Sequence, residues 1–236
     1  MPRRQPSLQT TTLWDFPAQQ YGDETQGSKD YRGATPAYVV WNLLQRYTRP
    51  GNLVVDPMAG SGTTLDVARE LDRKALGYDV HPSRPDITYC DARSLPLPAA
   101  SVDFVFIDPP YSTHVDYGDD PADIGKLHAA DSAYYAAMGE VIAEIDRILR
   151  PERHMGLFCC DSFEKGRPLH PIGFELFSRL RRHFEPVDII SVVRRNRTLL
   201  RNRWHEAAIA GNYYLRGFNY LFIMRKPPSR RKSPRP

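Results

Sequence analysis

Cysteine is scarce in this chain of 236 residues: Cys90, Cys159 and Cys160 are the three, with no Cys-x-x-Cys spacing and no histidine pair nearby. A disulfide framework is excluded, a zinc site has no support, and no metal is expected. Long hydrophobic runs are missing too. The apolar runs have strand length, none nears the ~20 residues needed to cross a bilayer, and the opening Met-Pro-Arg-Arg-Gln-Pro lacks a hydrophobic signal region. A cytoplasmic protein without a membrane partner is the expectation. Net charge is small, +4, which excludes a uniformly cationic surface and suits one basic binding face better. The 41% hydrophobic content suffices for one well-cored domain and leaves little for a second.

Against that background two short segments stand out. Leu53-Val54-Val55 reads as a strand and runs into Asp56-Pro57-Met58-Ala59-Gly60-Ser61-Gly62-Thr63-Thr64; a helical pattern through Leu65, Ala68 and Leu71 follows. Gly60 and Gly62 have no Cβ, so a ligand can lie against the backbone, and the helix start offers free N–H groups. Taken alone, such a turn also fits a dinucleotide enzyme or a packing turn without a ligand. The second run, Val102 to Ile107, is a near-continuous apolar stretch of the kind that fills a parallel sheet. It stops at Asp108-Pro109-Pro110-Tyr111. Two prolines hold φ near −65° and cannot continue a ladder, so an acid and an aromatic ring are presented stiffly beside the sheet.

On these two motifs the chain resembles the S-adenosylmethionine-dependent DNA amino-methyltransferases of the N6-adenine/N4-cytosine type. The resemblance covers most of the chain, and it implies that residues 56–64 form the cofactor loop and Asp108 to Tyr111 the catalytic loop. The implied fold is α/β: a single Rossmann-like methyltransferase domain with a seven-stranded, mostly parallel sheet, an antiparallel last strand and helices on both faces. The chemistry agrees. An exocyclic base amine is a poor nucleophile because its lone pair is delocalised into the ring. Acceptors on Asp108, with the carbonyl of Pro109, would localise that lone pair and stabilise the growing positive charge, while Tyr111 would stack on the base. The base must be flipped out of a duplex or be unpaired already.

Smaller features fit a cofactor cleft. Ala75 to Asp79 reads as a strand ending in an acid 17 residues after Gly62, near the ~20-residue spacing at which βαβ units place a ribose-binding carboxylate. Val80 adjoins it. Ile87 to Ala92 ends in Asp91-Ala92, which the resemblance sets near the cofactor adenine. Thr35-Pro36 precedes a helical pattern from Tyr38 to Tyr47 and resembles the segment that holds the methionine end; Thr35 is also a candidate N-cap. Residues 112–125 read as a long polar loop from which His114 and Tyr117 could touch substrate.

Further on, Ala133 to Leu149 and Ile172 to Leu180 have helical periodicity, and Met155 to Cys160, Pro186 to Val193 and Gly217 to Met224 read as strands. Between the last two, residues 194–216 hold six arginines (Arg194, Arg195, Arg197, Arg201, Arg203 and Arg216) against one acid, Glu206, with Trp204, Tyr213 and Tyr214 interleaved. Guanidinium groups that pair with phosphates and rings that stack on bases make this a candidate nucleic-acid recognition segment; a solvated basic loop is the plain alternative. Domain bounds follow: an N-terminal extension over 1–30, the methyltransferase domain over 31–226, and a basic tail over 227–236. DNA is the expected substrate, with adenine N6 slightly ahead of cytosine N4. The alternatives are an RNA base amino-methyltransferase and a nonenzymatic nucleic-acid-binding subunit that keeps the fold.

Overall fold

The computed structural model describes residues 5–28, 31, 33–111, 120–163, 168–195, 199 and 202–229. Eight strands form one sheet in the order β1-β7-β8-β6-β5-β2-β3-β4. They are β1 (Leu13–Trp14), β2 (Leu53–Asp56), β3 (Lys74–Asp79), β4 (Ile87–Tyr89), β5 (Val102–Ile107), β6 (Leu149–Cys159), β7 (Glu185–Val193) and β8 (Phe218–Arg225). The helices are α1 (Ala37–Tyr47), α2 (Thr63–Glu70), α3 (Ser132–Ile148), α4 (Ile172–Leu180) and α5 (Asn202–Ala210).

β8 runs antiparallel between β6 and β7, and the remaining pairings are parallel. Every residue of β5 is buried, as its near-continuous apolar sequence requires of a strand covered on both faces, and its one acid, Asp103, is paired with Arg150 at 2.5 Å. One core cluster gathers α3 and α4 against one face of the sheet, the other gathers α1 and α2 against the opposite face. Among the described residues no helix is long and apolar enough to cross a membrane.

The strand count differs from the expected seven. Leu13 and Trp14 add an eighth strand by pairing in parallel with Ser191 and Val192 of β7. Two residues carry no periodicity; tertiary packing creates the strand. Trp14 is only 2% exposed, donates its indole N–H to the Thr11 carbonyl at 2.8 Å, and lies edge-on to Phe16, which stacks on Tyr38 of α1. The N-terminal extension is therefore packed into the core. Trp14→Ala should cost about 3–5 kcal/mol of stability in a urea melt; a loss below about 1 kcal/mol would show the segment to be dispensable for the fold.

The chain runs β2, β3, β4 outward in one direction and then places β5 on the other side of β2. The connections leaving β2 and β5 thus part company at their carboxyl ends, and open α/β sheets bind ligands in that crevice. Asp56 ends β2, and Asp108 follows β5 directly.

Candidate active site

The turn after β2 is built around Asp56. Its Oδ1 accepts the Met58 N–H at 3.1 Å and its Oδ2 the Thr64 hydroxyl at 2.6 Å, so the carboxylate pins both ends of the loop. Gly62 sits at φ +80°, where a side chain would be strained. A Cβ there would also lie 2.7 Å from the Arg84 guanidinium, itself held by Asp66 at 2.6 Å. Asp79, at the end of β3, accepts the Gly60 N–H at 2.9 Å and the His81 N–H at 2.8 Å. Burial raises its pKa, and those two bonds oppose the rise.

Facing this turn, Asp108 accepts two hydroxyls: Thr35 at 2.5 Å on Oδ2 and Tyr111 on Oδ1. Burial pushes Asp108 up to about 7, against the pull of those two hydrogen bonds and of the Arg194 charge. Asp56 is likewise pushed up to about 7 by burial, opposed by its Thr64 and Met58 bonds and reinforced by the nearby Asp108 and Asp79 charges. Burial and the Asp108 carboxylate drive the Tyr111 phenol well above its usual range, so it remains a donor. Tyr134 of α3 donates to the Pro110 carbonyl at 2.8 Å and fixes the double-proline loop from below.

Two adjoining cavities result. The larger, about 570 Å³, is lined by Thr35, Asp56, Met58, Ala59, Gly60, Ser61, Thr63, Thr64 and Asp108 to Tyr111, and on its far side by Trp204 and Arg216. The smaller, about 60 Å³, is lined by Pro57, Asp79, Val80, Asp91 and Ala92. Tyr31, Met58, Asp108 and Pro110 border both, so the two form one cleft across the ends of β2, β3 and β5. Asp91 is held by Arg93 at 2.7 Å; burial alone would raise its pKa, and the Arg93 hydrogen bonds and charge bring it below the usual range.

Other expected residues lie elsewhere. Thr35 does not cap α1: Pro36 occupies the N-cap position, no side chain caps the helix, and the Thr35 hydroxyl goes to Asp108 instead. Neither Pro36 nor Gly62 lines the cavities; Gly62 turns the chain under Arg84. Arg195 forms a two-pronged ion pair with Asp15, at 2.5 and 2.6 Å, on an exposed surface outside the cleft. Arg203 lies over the Trp204 ring at 5.3 Å. His114, Tyr117, Arg197 and Arg201 lie outside the described residues.

Parts of the wall carry no signal in the sequence. Cys160, Asp161, Ser162 and Phe163, just after β6, line the larger cavity, and the Phe163 ring stacks on Tyr213 at 5.1 Å. No motif marks these positions; adjacency of β6 to β5 in the sheet brings them in. Residues 26–28 carry no signal either. Gly27 donates to Asp66 at 2.8 Å and Ser28 to the Ser61 carbonyl at 2.8 Å, strapping the extension to the glycine turn.

A crevice at the switch point, edged by acids at the ends of successive parallel strands, defines the class I methyltransferase architecture. Solved structures agree on the fold. The [4+2]-cyclase SpnF matches with a TM-score of 0.55 at 20% identity, over 86% of this chain and 87% of that one. The 1,6-didemethyltoxoflavin-N1-methyltransferase of Burkholderia thailandensis, solved with S-adenosylhomocysteine, matches with a TM-score of 0.50 at 21% identity, over 84% of this chain and 80% of that one. A cyclase among the neighbours shows that fold alone does not decide the reaction.

Sequence comparison goes further. Residues 3–89 match the N6/N4 methyltransferase family model, described as DNA methylase, and the matched part includes the glycine turn and the strand-end Asp79. A 56-residue stretch is 41% identical to the type II methyltransferase M.HindIII of Haemophilus influenzae, covering 23% of this chain and 18% of that protein. The matched stretch thus spans under a fifth of the length of that curated relative.

The family's cofactor is S-adenosylmethionine, and the donor set fits it. That molecule carries an ammonium and a sulfonium, and two carboxylates that hold the glycine turn, Asp56 and Asp79, line the cleft. Each Asp79 oxygen keeps a lone pair for a ribose hydroxyl after accepting its backbone N–H. Asp79→Ala should weaken S-adenosylmethionine binding about 10- to 100-fold in calorimetry, since it removes those acceptors and frees the Gly60 turn; unchanged affinity would remove Asp79 from the site. Among the described residues no group of three or more His, Cys, Asp or Glu is placed to hold a metal ion.

Proposed function

We propose that the protein is an S-adenosylmethionine-dependent methyltransferase acting on an exocyclic amino group of a base in DNA, adenine N6 slightly favoured over cytosine N4. The observation that carries this reading is the buried Asp108 carboxylate at the end of β5, across the same cleft from the glycine turn after β2. Bound there, S-adenosylmethionine supplies an electrophilic methyl group. Asp79 accepts the ribose hydroxyls, Val80, Asp91 and Ala92 border the adenine, and the glycine turn from Pro57 to Thr64 receives the remainder. Asp108 and the Pro109 carbonyl accept the N–H groups of the target amine, so charge growing on nitrogen meets a carboxylate already oriented by its hydrogen bonds.

The amine donates to the same Oδ1 that the Tyr111 hydroxyl uses in the free protein, so the two compete for it, and a displaced hydroxyl leaves the ring at the base. Trp204, Tyr213 and Phe163 offer further faces to an extruded or unpaired base, which supports a substrate taken out of the stack. Arg203, seated over Trp204, and Arg216, at the cavity wall, would pair with the phosphates on either side of such a base.

The test is transfer of labelled methyl to duplex DNA, single-stranded DNA and structured RNA in parallel. Label in DNA supports the reading; label only in RNA transfers the same chemistry to the rival substrate, and label in neither leaves a binding subunit. Replacing both Arg203 and Trp204 by alanine should weaken DNA binding and reduce the slope of log affinity against log salt by about one, for one lost phosphate contact. An unchanged slope would return residues 194–216 to the role of a solvated basic surface.

A further inference from the structure

We infer, resting on the reading of Asp108 as the amine's acceptor, that Thr35 is a positioning residue: its hydroxyl anchors Oδ2 of Asp108 so that Oδ1 is the oxygen turned to the incoming amine. The two hydroxyls on this carboxylate are not equivalent. Thr35 is 8% exposed and stands directly before Pro36, whose ring holds φ at −60°, and before a helix whose Ala37, Val39, Val40, Leu43 and Leu44 are fully buried. Its β-branched side chain has few rotamers, and α1 makes no use of its hydroxyl as a cap. The bond at 2.5 Å spans 73 positions of sequence, which only the packing of α1 beside β5 can bring about.

Both residues line the larger cavity, but Tyr111 lies only three residues beyond Asp108 on the same loop and is not seated at the start of a buried helix, so an arriving amine can replace it. Thr35 cannot be replaced without moving α1. The carboxylate that remains is oriented by one fixed donor and offers one exchangeable position.

The groups around Asp108 set its protonation. Tyr111, Tyr134 and Cys159 are held neutral, their pKa values raised by burial. Asp56, raised to about 7, repels the charged form once it ionises itself, and Arg194 favours it. The Thr35 hydroxyl therefore belongs with Arg194 and Tyr111 among the few groups that favour ionised Asp108, and when the amine displaces Tyr111 its share grows.

The experiment compares wild type, Thr35→Val and Thr35→Ser in two ways. Carbon-13 NMR follows the Asp56 and Asp108 carboxyls through pH without ligands, and the pH profile of kcat/KM for methyl transfer is recorded alongside. Thr35→Val keeps the shape and removes the donor. Asp108 should then titrate about one unit higher, and the acidic limb of kcat/KM should move with it. The deficit should be roughly 10-fold at pH 6 and shrink as pH rises, with S-adenosylmethionine affinity within about twofold of wild type. Thr35→Ser should restore both profiles.

An unshifted Asp108 titration and acidic limb, with cofactor affinity lost instead, would overturn the inference and make Thr35 a cofactor contact. Absence of methyl transfer to any nucleic acid by wild type would sink the functional reading, while the NMR titration would still decide what Thr35 does to Asp108.

Discussion

Asp108→Ala is expected to lower methyl transfer by at least about 10²- to 10³-fold while leaving S-adenosylmethionine affinity nearly unchanged. The size follows from what the carboxylate does. An acceptor preorganised in a buried site contributes most where charge develops, because no solvent has to reorganise around it. Cofactor affinity survives because the glycine turn is held by Asp56 and Asp79 through their own bonds to Met58, Thr64, Gly60 and His81. Single-turnover transfer paired with calorimetric binding separates the two effects. A fully active variant would remove Asp108 from the mechanism; joint loss of activity and cofactor binding would show collapse of the cleft instead.

The second large effect concerns stability. In an unfolded chain an aspartate ionises near pH 4, whereas burial holds Asp108 and Asp56 protonated up to about pH 7 in the folded protein. Between those values the unfolded state has released a proton that the folded state keeps. The stabilisation associated with the protonated carboxyls is therefore complete below about pH 4 and is lost as pH rises through about 7, an effect on the order of a few kcal/mol. Asp108→Asn cannot ionise. Its stability relative to wild type, measured by urea unfolding without cofactor, should improve by a few kcal/mol between pH 5 and pH 8. A difference that stays flat over that range would mean that Asp108 is not buried in the way described. The Asp108 carboxylate thus costs the free protein stability at neutral pH, which is what the proposed role of a charge held ready for a cationic transition state requires.

Both cleft motifs were legible because each is local. A strand-length apolar run followed by Gly60 and Gly62, or by Pro109 and Pro110, dictates a turn whatever the rest of the chain does. β5 and α4 were read to the residue, since unbroken burial and clean helical spacing leave little ambiguity. What escaped depends on distant partners. Leu13 and Trp14 become a strand only because β7 lies beside them. Arg195 was read as a phosphate ligand because its neighbours are basic, yet Asp15, 180 positions away, takes its guanidinium. The basic stretch also hides α5, whose hydrophobic pattern is too weak to announce a helix among arginines; Ala208 is its one buried residue. For Thr35 the sequence leaves a cofactor contact and an N-cap role both open, and it is silent on Asp108 because the acceptor that takes the hydroxyl lies on another strand-end loop.

The most direct test of the central claim is nucleoside mass spectrometry of DNA incubated with the protein and S-adenosylmethionine carrying a deuterated methyl group. Labelled N6-methyladenine, or labelled N4-methylcytosine, lost in Asp108→Ala, is the predicted result. Label on a ring carbon of cytosine, or on protein with none in DNA, would contradict transfer to an exocyclic amine held by Asp108.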